Sequence, residues 1–168
     1  VRQWQRRLPR TTLLAHAMPI HVLPPAVAAR IAAGEVVERP ASAVKELVEN
    51  ALDAGATAIR VEITGGGLDP IRVVDDGAGI PTADAQRLFQ RHATSKLATA
   101  DDLERITTLG FRGEALYALS AVADVEVLTR AADDEVGIRL EASGGRLTGH
   151  QPRGGPRGTA VTVQRLFQ

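Results

Sequence analysis

The sequence predicts an α+β fold, a two-layer α/β sandwich in which helices cover one face of a mixed, mostly antiparallel sheet. Two patterns predict it. Apolar residues recur with a helical period between residues 25 and 55, and from residue 59 onward they alternate with polar residues. Alternation indicates strands with one buried and one wetter face, so helices are needed on one side only. A chain of 168 residues fits one such domain.

Two helices are expected before the first strand. Pro24–Pro25 begins the first, because a proline at the first helical position costs no hydrogen bond, and Gly34 ends it. Pro40 begins the second, which ends near Gly55. Its apolar residues at helical spacing are Val44, Leu47, Val48 and Ala51, with Leu52 at the margin.

Four later segments alternate as strands do. Their apolar members are Ile59, Val61 and Ile63, then Ile71 and Val73, then Ile138 and Leu140, then Val161 and Val163. Gly65–Gly67 makes a turn between the first two segments, and the second continues to Asp75. Residues 92–110 read as a long connection, a length that is usually functional or mobile. A helix over Arg112–Val122 follows it.

Composition excludes several classes of protein. There is no cysteine, which excludes disulfides and thiolate metal sites and fits a reducing cytosol, and no apolar run is long enough to span a membrane. The formal net charge is zero, but residues 1–17 contain four arginines and no acid. The rest is therefore net acidic and lacks the basic footprint of a free-standing nucleic-acid binder, so any DNA contact would be local or supplied from outside this chain.

Residues 1–17 are expected to form a disordered or extended N-terminal extension, and residues 18–168 the folded domain. The extension is interpreted as a stretch preceding a natural start at Met18, and a transit peptide is the alternative.

The second predicted helix carries a polar face that can hold a cation. Glu46, Asn50 and Asp53 fall within an arc of about 60° at 100° per residue, opposite the apolar stripe. Such oxygen ligands suit Mg²⁺, which keeps waters and binds substrate phosphates. Glu46 could orient and deprotonate an attacking water. Taken alone, the same face also fits the solvated side of an ordinary amphipathic helix.

A glycine-containing acidic loop, Asp75–Pro81, comes directly after a strand. Its glycines allow a sharp turn and close approach of a ligand. An aspartate there can accept a hydrogen bond from an exocyclic amine such as that of adenine. Taken alone, the loop also fits a plain acidic turn.

Three further segments are candidates for ligand contacts. Gly110–Leu116 leads a loop into a helix, whose N-terminal N–H groups can bind an anion. Arg91–Lys96 contains one of the only two lysines, and its His92 is interpreted as a structural residue rather than a catalyst. Gly158–Thr159 places a hydroxyl at the start of the last strand. The chain has neither a P-loop nor a Rossmann glycine fingerprint.

Together and in this order, these segments resemble the GHKL ATPase superfamily, which includes DNA gyrase B, sensor histidine kinases and the MutL mismatch repair proteins. The resemblance is closest to the MutL group. It is carried by IAAGEVVERP, DDGAGI, RHATSK, LGFRGEAL and GTAVTVQRLF, and it extends over Met18–Phe167. It implies the two-layer GHKL (Bergerat) fold and Mg²⁺-dependent ATP binding and hydrolysis.

The resemblance also implies roles for individual residues. Glu46 corresponds to the general base, Asn50 to the Mg²⁺ ligand, and Asp75 to the adenine-recognition aspartate. The remaining nucleotide-binding residues that it implies are Asp53, Gly77 and Gly79 beside them, Thr94, Ser95 and Lys96 at the start of an ATP lid, Gly110, Phe111, Arg112 and Gly113 at its phosphate-wrapping end, and Thr159 on the adenine side.

The sequence departs from this family pattern in two places. Asp76 stands where the family often has asparagine, which adds a negative charge and puts one hydrogen bond in doubt. The chain ends at Gln168, where the family continues into a ribosomal-S5-like domain that supplies a lysine to the γ-phosphate and then into a dimerisation domain. ATP binding is therefore expected to survive, and efficient turnover is not.

The partners implied are ATP or ADP, a second copy of the protein through ATP-dependent N-terminal dimerisation, a MutS-type mismatch sensor, and a downstream nuclease or helicase. DNA binding is expected to be weak and mainly through regions outside this chain, with no membrane contact, in the bacterial cytosol. The alternative is a nucleotide-gated interaction module without appreciable hydrolysis. A histidine kinase is disfavoured because the chain has no phosphoacceptor region.

Overall fold

The computed structural model describes residues 20–67, 70–91, 93 and 114–168. Its helices are α1 (Pro25–Val36), α2 (Pro40–Asp53), α3 (Thr82–Ala85) and α4 (Ala115–Val122), with a 3-10 turn at Gly65–Gly67. Its strands are β1 (Ile59–Ile63), β2 (Ile71–Asp75), β3 (Asp124–Arg130), β4 (Gly137–Ser143), β5 (Arg146–Arg153) and β6 (Gly158–Gln164). The N-terminal extension predicted for residues 1–17 lies outside the described residues.

The six described strands form one sheet in the order β1-β2-β6-β3-β4-β5, and each of its five pairings is antiparallel. The last strand in the chain, β6, lies in the middle between β2 and β3. It therefore joins the early and late parts of the sequence, and residues that are far apart in the chain become cross-strand neighbours.

Helices cover one face of this sheet, which confirms the predicted fold class. The α2 helix packs on β1 and β2, α4 packs on β3, β4 and β5, and α1 packs against α4. Cross-strand neighbours share a face, and Val73, Val161 and Val127 are such neighbours on three adjacent strands. All three are buried in one cluster with Leu47 of α2 and Leu119 of α4.

Two helix boundaries differ from the prediction. The first helix begins at Pro25 as expected but continues past Gly34 to Val36, because the N–H of Val37 bonds to the carbonyl of Ala33 and Val37 is fully buried. The fourth helix begins at Ala115 rather than at Arg112, and residues 112 and 113 lie outside the described part of the chain.

The apolar face predicted for β1 is only partly buried. Val61 and Ile63 are 40% and 51% exposed, although Val73 and Ile71, their partners on β2, are buried. The reason is position, because β1 is the edge strand of the sheet and the helices reach only partly over it. Among the described residues, no helix is long and apolar enough to cross a bilayer.

Candidate functional site

The core face of the sheet turns polar at one end, along a row of three cross-strand neighbours. Asp75 of β2 pairs with Thr159 of β6, which pairs with Thr129 of β3. On each strand the next residues inward that share this face are apolar and buried, for example Val73 and Ile71 before Asp75 and Val161 and Val163 after Thr159. A polar row at the end of an apolar core can form the floor of a ligand pocket.

Asp75 is held by the backbone on one side of its carboxylate. Its Oδ1 accepts hydrogen bonds from the N–H of Gly77 at 2.9 Å and of Thr159 at 3.3 Å. Its Oδ2 accepts none from the described residues. Burial raises the pKa of Asp75, the two N–H groups lower it, and the charge of Asp76 raises it. The arrangement presents a fixed, half-buried carboxylate with one oxygen left for a ligand donor.

The loop after Asp75 fits against its surroundings only because two of its residues are glycines. A Cβ on Gly77 would lie 2.9 Å from the carbonyl oxygen of Ala54, and one on Gly79 would lie within 2.1 Å of the carbonyl oxygen of Arg130. Gly79 also has a φ of +73°. Next to Gly77, the N–H of Ala78 donates to the carbonyl of Ala54 at 2.9 Å. The loop is thereby clamped between the end of α2 and the end of β3.

The contact at Ala54 positions the polar face of α2. Asp53, Asn50 and Glu46 lie one, four and eight residues before Ala54 along the helix, and all three are partly buried. The opposite face carries Ala43, Leu47 and Ala51, which are buried in or beside the core. The polar face therefore begins beside the acidic loop and runs away from it along α2.

Glu46 lies close to other charged residues. Its side chain is 27% exposed, and its Oε1 lies 4.0 Å from the Nζ of Lys45. That ammonium is engaged chiefly by Glu49, with an N–O distance of 2.8 Å one turn further along. Lys45 therefore lies near the Glu46 carboxylate, but its stronger ion pair is with Glu49.

Asp76, unlike Asp75, accepts hydrogen bonds on both of its carboxylate oxygens. Its Oδ1 accepts the N–H groups of Thr57 at 2.7 Å and Ala58 at 2.8 Å, and its Oδ2 accepts the hydroxyl of Thr57 at 2.5 Å. These donors lower the pKa of Asp76 to about 2. Both oxygens of Asp76 therefore accept hydrogen bonds from the Thr57–Ala58 segment.

The structure brings together only part of the predicted site. Direct contacts join Asp75, Gly77 and Thr159, and Gly79 follows on the same clamped loop. Glu46, Asn50 and Asp53 are tied to this group through the contact of Ala54 at the end of α2. The predicted residues Thr94, Ser95, Lys96, Gly110, Phe111, Arg112 and Gly113, together with His92, lie outside the described residues.

Two residues at this site were missed by the sequence patterns. Thr129 is 5% exposed and its hydroxyl contacts both Ile80 and Thr159. Asp134 accepts the N–H and the hydroxyl of Thr82, which holds the far end of the acidic loop. Thr129 could have been found, because it continues the alternation of Val125 and Val127 along β3, whereas no local signal marks Asp134.

A cleft lies at the opposite end of the sheet. It is lined by the start of α1 with Arg30, the end of α4, Asp124 and Arg165. Two of its charged side chains engage each other, because Asp124 pairs with Arg165, and Asp124 also accepts the hydroxyl of Ser143 at 2.6 Å. The fixed carboxylate of Asp75 with its open oxygen makes the polar row the better candidate for a ligand.

The sequence matches one protein family model over residues 38–143, that of the histidine kinase-, DNA gyrase B-, and HSP90-like ATPases. The match includes the polar face of α2 and the Asp75–Gly79 loop described above. The chain belongs to this ATPase family. Its relatives within the family include MutL proteins, and its structural neighbours include MutL ATPase domains, which confirms the resemblance found in the sequence.

Curated relatives of this ATPase domain include the DNA mismatch repair protein MutL of Pelotomaculum thermopropionicum, which is 57% identical over 148 residues. That match covers 88% of the chain and 24% of the relative. MutL of Methanothrix thermoacetophila is 53% identical over 150 residues, covering 89% of the chain and 27% of the relative. The chain therefore spans about a quarter of the length of these relatives.

Solved structures agree with this assignment. The Aquifex aeolicus MutL ATPase domain complexed with ADP is 35% identical, with a TM-score of 0.59, covering 79% of this chain and 44% of the other. A crystal structure of the N-terminal domain of a DNA repair protein has a TM-score of 0.68 at 35% identity, covering 83% of this chain and 39% of that one. The ATPase-family fold is thus shared over most of the chain.

Proposed function

We propose that this chain binds ATP and ADP between the polar face of α2 and the Asp75–Thr159 row, and hydrolyses ATP as the ATPase domain of a MutL-like mismatch repair protein. The observation that carries the proposal is the carboxylate of Asp75. It is fixed by two backbone N–H groups, has one open oxygen, and lies beside the end of a helix with an acid and an amide on its polar face.

The base is proposed to bind at the Asp75 end of the cleft. An ionised carboxylate accepts hydrogen bonds only, so its open Oδ2 fits a donor such as the exocyclic amine of adenine. Guanine would present a carbonyl oxygen in place of that amine and would be repelled. The ADP complex of the Aquifex aeolicus MutL ATPase domain, whose fold this chain shares, supports a nucleotide as the ligand.

The phosphates are proposed to extend along α2 towards Glu46. With a rise of 1.5 Å per residue, Asn50 lies about 6 Å and Glu46 about 12 Å along the axis from Ala54, which touches the acidic loop. The terminal phosphate then lies nearest Glu46. In this arrangement Gly77 and Gly79 shape the base end of the pocket, and Asp53 and Thr159 contribute beside them.

Magnesium fits the donors on this face. The described residues contain no group of three or more acidic, histidine or cysteine side chains that could hold a metal. A site there would therefore need ligands other than such side chains alone. Mg²⁺ is commonly bound through one or two protein oxygens together with substrate phosphates, and Asn50 supplies an amide oxygen. When bound, the ion would neutralise charge that develops on the phosphates.

Glu46 is proposed as the general base for hydrolysis. Its carboxylate accepts a proton from a water whose oxygen forms a bond to the γ-phosphorus. The bond between that phosphorus and the bridging oxygen breaks, and its electron pair stays on ADP. Phosphoryl transfer requires mainly positioning and charge neutralisation, so one base on a rigid helix is a sufficient contribution from this element.

We extend the proposal to the remainder of the site by resemblance. Residues 18–168 form the ATPase domain, and Thr94–Lys96 and Gly110–Gly113 begin and end a lid that ATP orders. Ordering of the lid would promote dimerisation of the full-length protein and signal from a MutS-type mismatch sensor to a nuclease or helicase. DNA would bind mainly through regions outside this chain.

A nucleotide-gated module without appreciable hydrolysis is the second candidate. The resemblance supports it, because the γ-phosphate lysine that the resemblance implies belongs to a ribosomal-S5-like second domain. The chain matches about a quarter of the length of its curated relatives. Turnover by the chain, compared with turnover by a longer protein that carries this lysine, separates the two candidates.

The test is a calorimetric titration of the chain with ADP and with a non-hydrolysable ATP analogue, with and without Mg²⁺, together with turnover assays. In a longer active protein, Glu46→Ala should lower turnover by about 100-fold or more and leave nucleotide affinity nearly unchanged. Asn50→Ala should remove the Mg²⁺ dependence of binding. Glu49→Ala is the matched control, because Glu49 is an acid on the same helix that pairs with Lys45. Normal turnover of Glu46→Ala would show that the base is assigned to the wrong residue.

A further inference from the structure

Thr129 contacts both sides of the proposed base pocket through one hydroxyl group. Its Oγ1 lies 2.9 Å from the N–H of Ile80, 3.1 Å from the hydroxyl oxygen of Thr159 and 3.2 Å from the carbonyl oxygen of Gly158. Thr129 and Ser120 are the two buried polar side chains among the described residues. A buried hydroxyl with three partners on two different elements is placed to set the geometry of both.

The number of protons limits what this hydroxyl can do. It has one proton to donate, and one of its lone pairs already accepts the N–H of Ile80. If its proton goes to Gly158, Thr159 must donate to Thr129 and can only accept from a ligand. If its proton goes to Thr159, the proton of Thr159 becomes available to a ligand. The two distances differ by too little to favour either state, so a ligand can select between them.

We infer that Thr129 is a positioning residue for the base: it donates to the Thr159 hydroxyl so that Thr159 donates, directly or through one water, to a ring nitrogen of adenine. The inference rests on the proposed function, in which the open Oδ2 of Asp75 takes the exocyclic amine. The ring nitrogens on either side of that amine, N1 and N7, are acceptors, so the neighbouring Thr159 has to supply a donor.

This chain of hydrogen bonds also couples the base to the acidic loop. Thr129 holds the N–H of Ile80, one residue after Gly79, whose Cβ position is already filled by the end of β3. A base that draws the Thr159 proton outward therefore strengthens the donation from Thr129, since successive hydrogen bonds polarise one another. The coupling should be measurable as a non-additive effect on ADP affinity of changing residue 129 and removing one ring nitrogen of the base.

The experiment is a double-mutant cycle with ADP as the probe. Affinities for ADP, 1-deaza-ADP and 7-deaza-ADP are measured by calorimetry on the chain and on Thr129→Val, which removes the hydroxyl but keeps the shape. We expect the preference for ADP over one of the deaza analogues to fall by about threefold to tenfold in Thr129→Val, the range of a typical net hydrogen bond. Thr129→Ser should keep the preference, and Thr129→Val should have no further effect in a Thr159→Val background.

Ser120→Ala is the matched control, because it removes the other buried hydroxyl, which bonds to the carbonyl of Tyr117 away from the site. It should leave both analogue ratios unchanged. If Thr129→Val does not fold, Thr129→Cys replaces it, since a thiol is a weak donor of similar size.

The outcomes separate this inference from the proposed function. Absence of ADP binding by the unmodified chain contradicts the proposed function itself. Binding of ADP with neither ratio altered by Thr129→Val shows that Thr129 has only a structural role, and the inference is then wrong. Loss of thermal stability without a change in either ratio leads to the same conclusion.

Discussion

Asp75 and Asp76 are adjacent carboxylates whose pKa values move in opposite directions. Burial at the polar row of the core raises the pKa of Asp75, whereas three donors from the Thr57–Ala58 segment lower that of Asp76 to about 2. Their partners explain the difference, because Asp75 ends β2 on the polar row, whereas Asp76 follows the strand and accepts from the Thr57–Ala58 segment. One carboxylate is therefore available to a ligand, and the other fixes the connection from α2 to β1.

At the residue scale, Asp76 should contribute stability that depends on pH. Its folded pKa of about 2 is below the ordinary value of 3.8, so its contribution is fully present above the ordinary value and is lost as the pH falls through about 2. Asp76→Ala should lower the stability at pH 7 and flatten the loss of stability on acidification over that window. Urea unfolding at a series of pH values measures both effects.

Asp133→Ala is the control for this experiment. Asp133 is an exposed aspartate that makes no hydrogen bond or ion pair among the described residues. Its replacement should leave the shape of the acid limb unchanged. An equally steep acid limb in Asp76→Ala would mean that the three hydrogen bonds seen here do not stabilise the fold in solution.

Asp75→Asn should separate stability from binding. The folded pKa of Asp75 is raised, so ionisation of this group opposes folding at neutral pH and becomes less unfavourable as the pH falls through the folded pKa. The asparagine amide can still accept from Gly77 and Thr159, and it carries no charge beside Asp76. We therefore expect an equal or higher melting temperature, with ADP affinity lowered by about 10-fold to 100-fold, because the lost partner is a charged acceptor. Unchanged affinity would exclude Asp75 from the base pocket.

At the scale of elements, local patterns predicted what local interactions determine. The second helix and β2 were predicted because the spacing of their apolar residues and the residues that begin and end them can be recognised within a short stretch of sequence. The end of α1 was not, because burial of Val37 outweighs the roughly 1 kcal/mol that Gly34 costs inside a helix. The exposure of Val61 and Ile63 depends on how far the helices extend over the edge strand. That is set by tertiary packing, which the alternation within β1 does not encode.

The acidic loop gives a prediction at this scale. A side chain on Gly79 would meet the backbone of Arg130 within 2.1 Å and would have to adopt a φ of +73°. Neither backbone can move without disturbing the sheet, so Gly79→Ala should destabilise the fold by roughly 2–4 kcal/mol and weaken ADP binding. Gly154→Ala is the control, because no atom lies within 4 Å of its Cβ position. Similar unfolding midpoints for the two variants would contradict the described packing of the loop.

At the scale of the whole molecule, the sequence named Asp75, Gly77 and Thr159 as candidates but did not predict how they are joined. The bond from the Thr159 N–H to Asp75 spans 84 residues, and β6 has to insert between β2 and β3 for it to form. The joining groups are the buried Thr129, which only the alternation along β3 marks, and the backbone of Ala54, which has no sequence signal. Motif residues can be recognised one by one, whereas their assembly is a consequence of strand order.

Because the site draws on α2, β2, β3 and β6, nucleotide binding should stabilise the fold as a unit. At an ADP concentration 100 times the dissociation constant, the expected gain is about 2.7 kcal/mol, which raises the melting temperature of a domain of this size by about 5–10 °C. Glu46→Ala should keep this shift, since its proposed role is in hydrolysis, whereas Asp75→Asn should reduce the gain to about 0.4–1.4 kcal/mol at the same ADP concentration, as its 10-fold to 100-fold weaker affinity requires. GDP should give little shift, because its base presents an acceptor to Asp75. A shift that GDP reproduces, or that is undiminished in Asp75→Asn, would place the bound base elsewhere and would require a different ligand for the polar row.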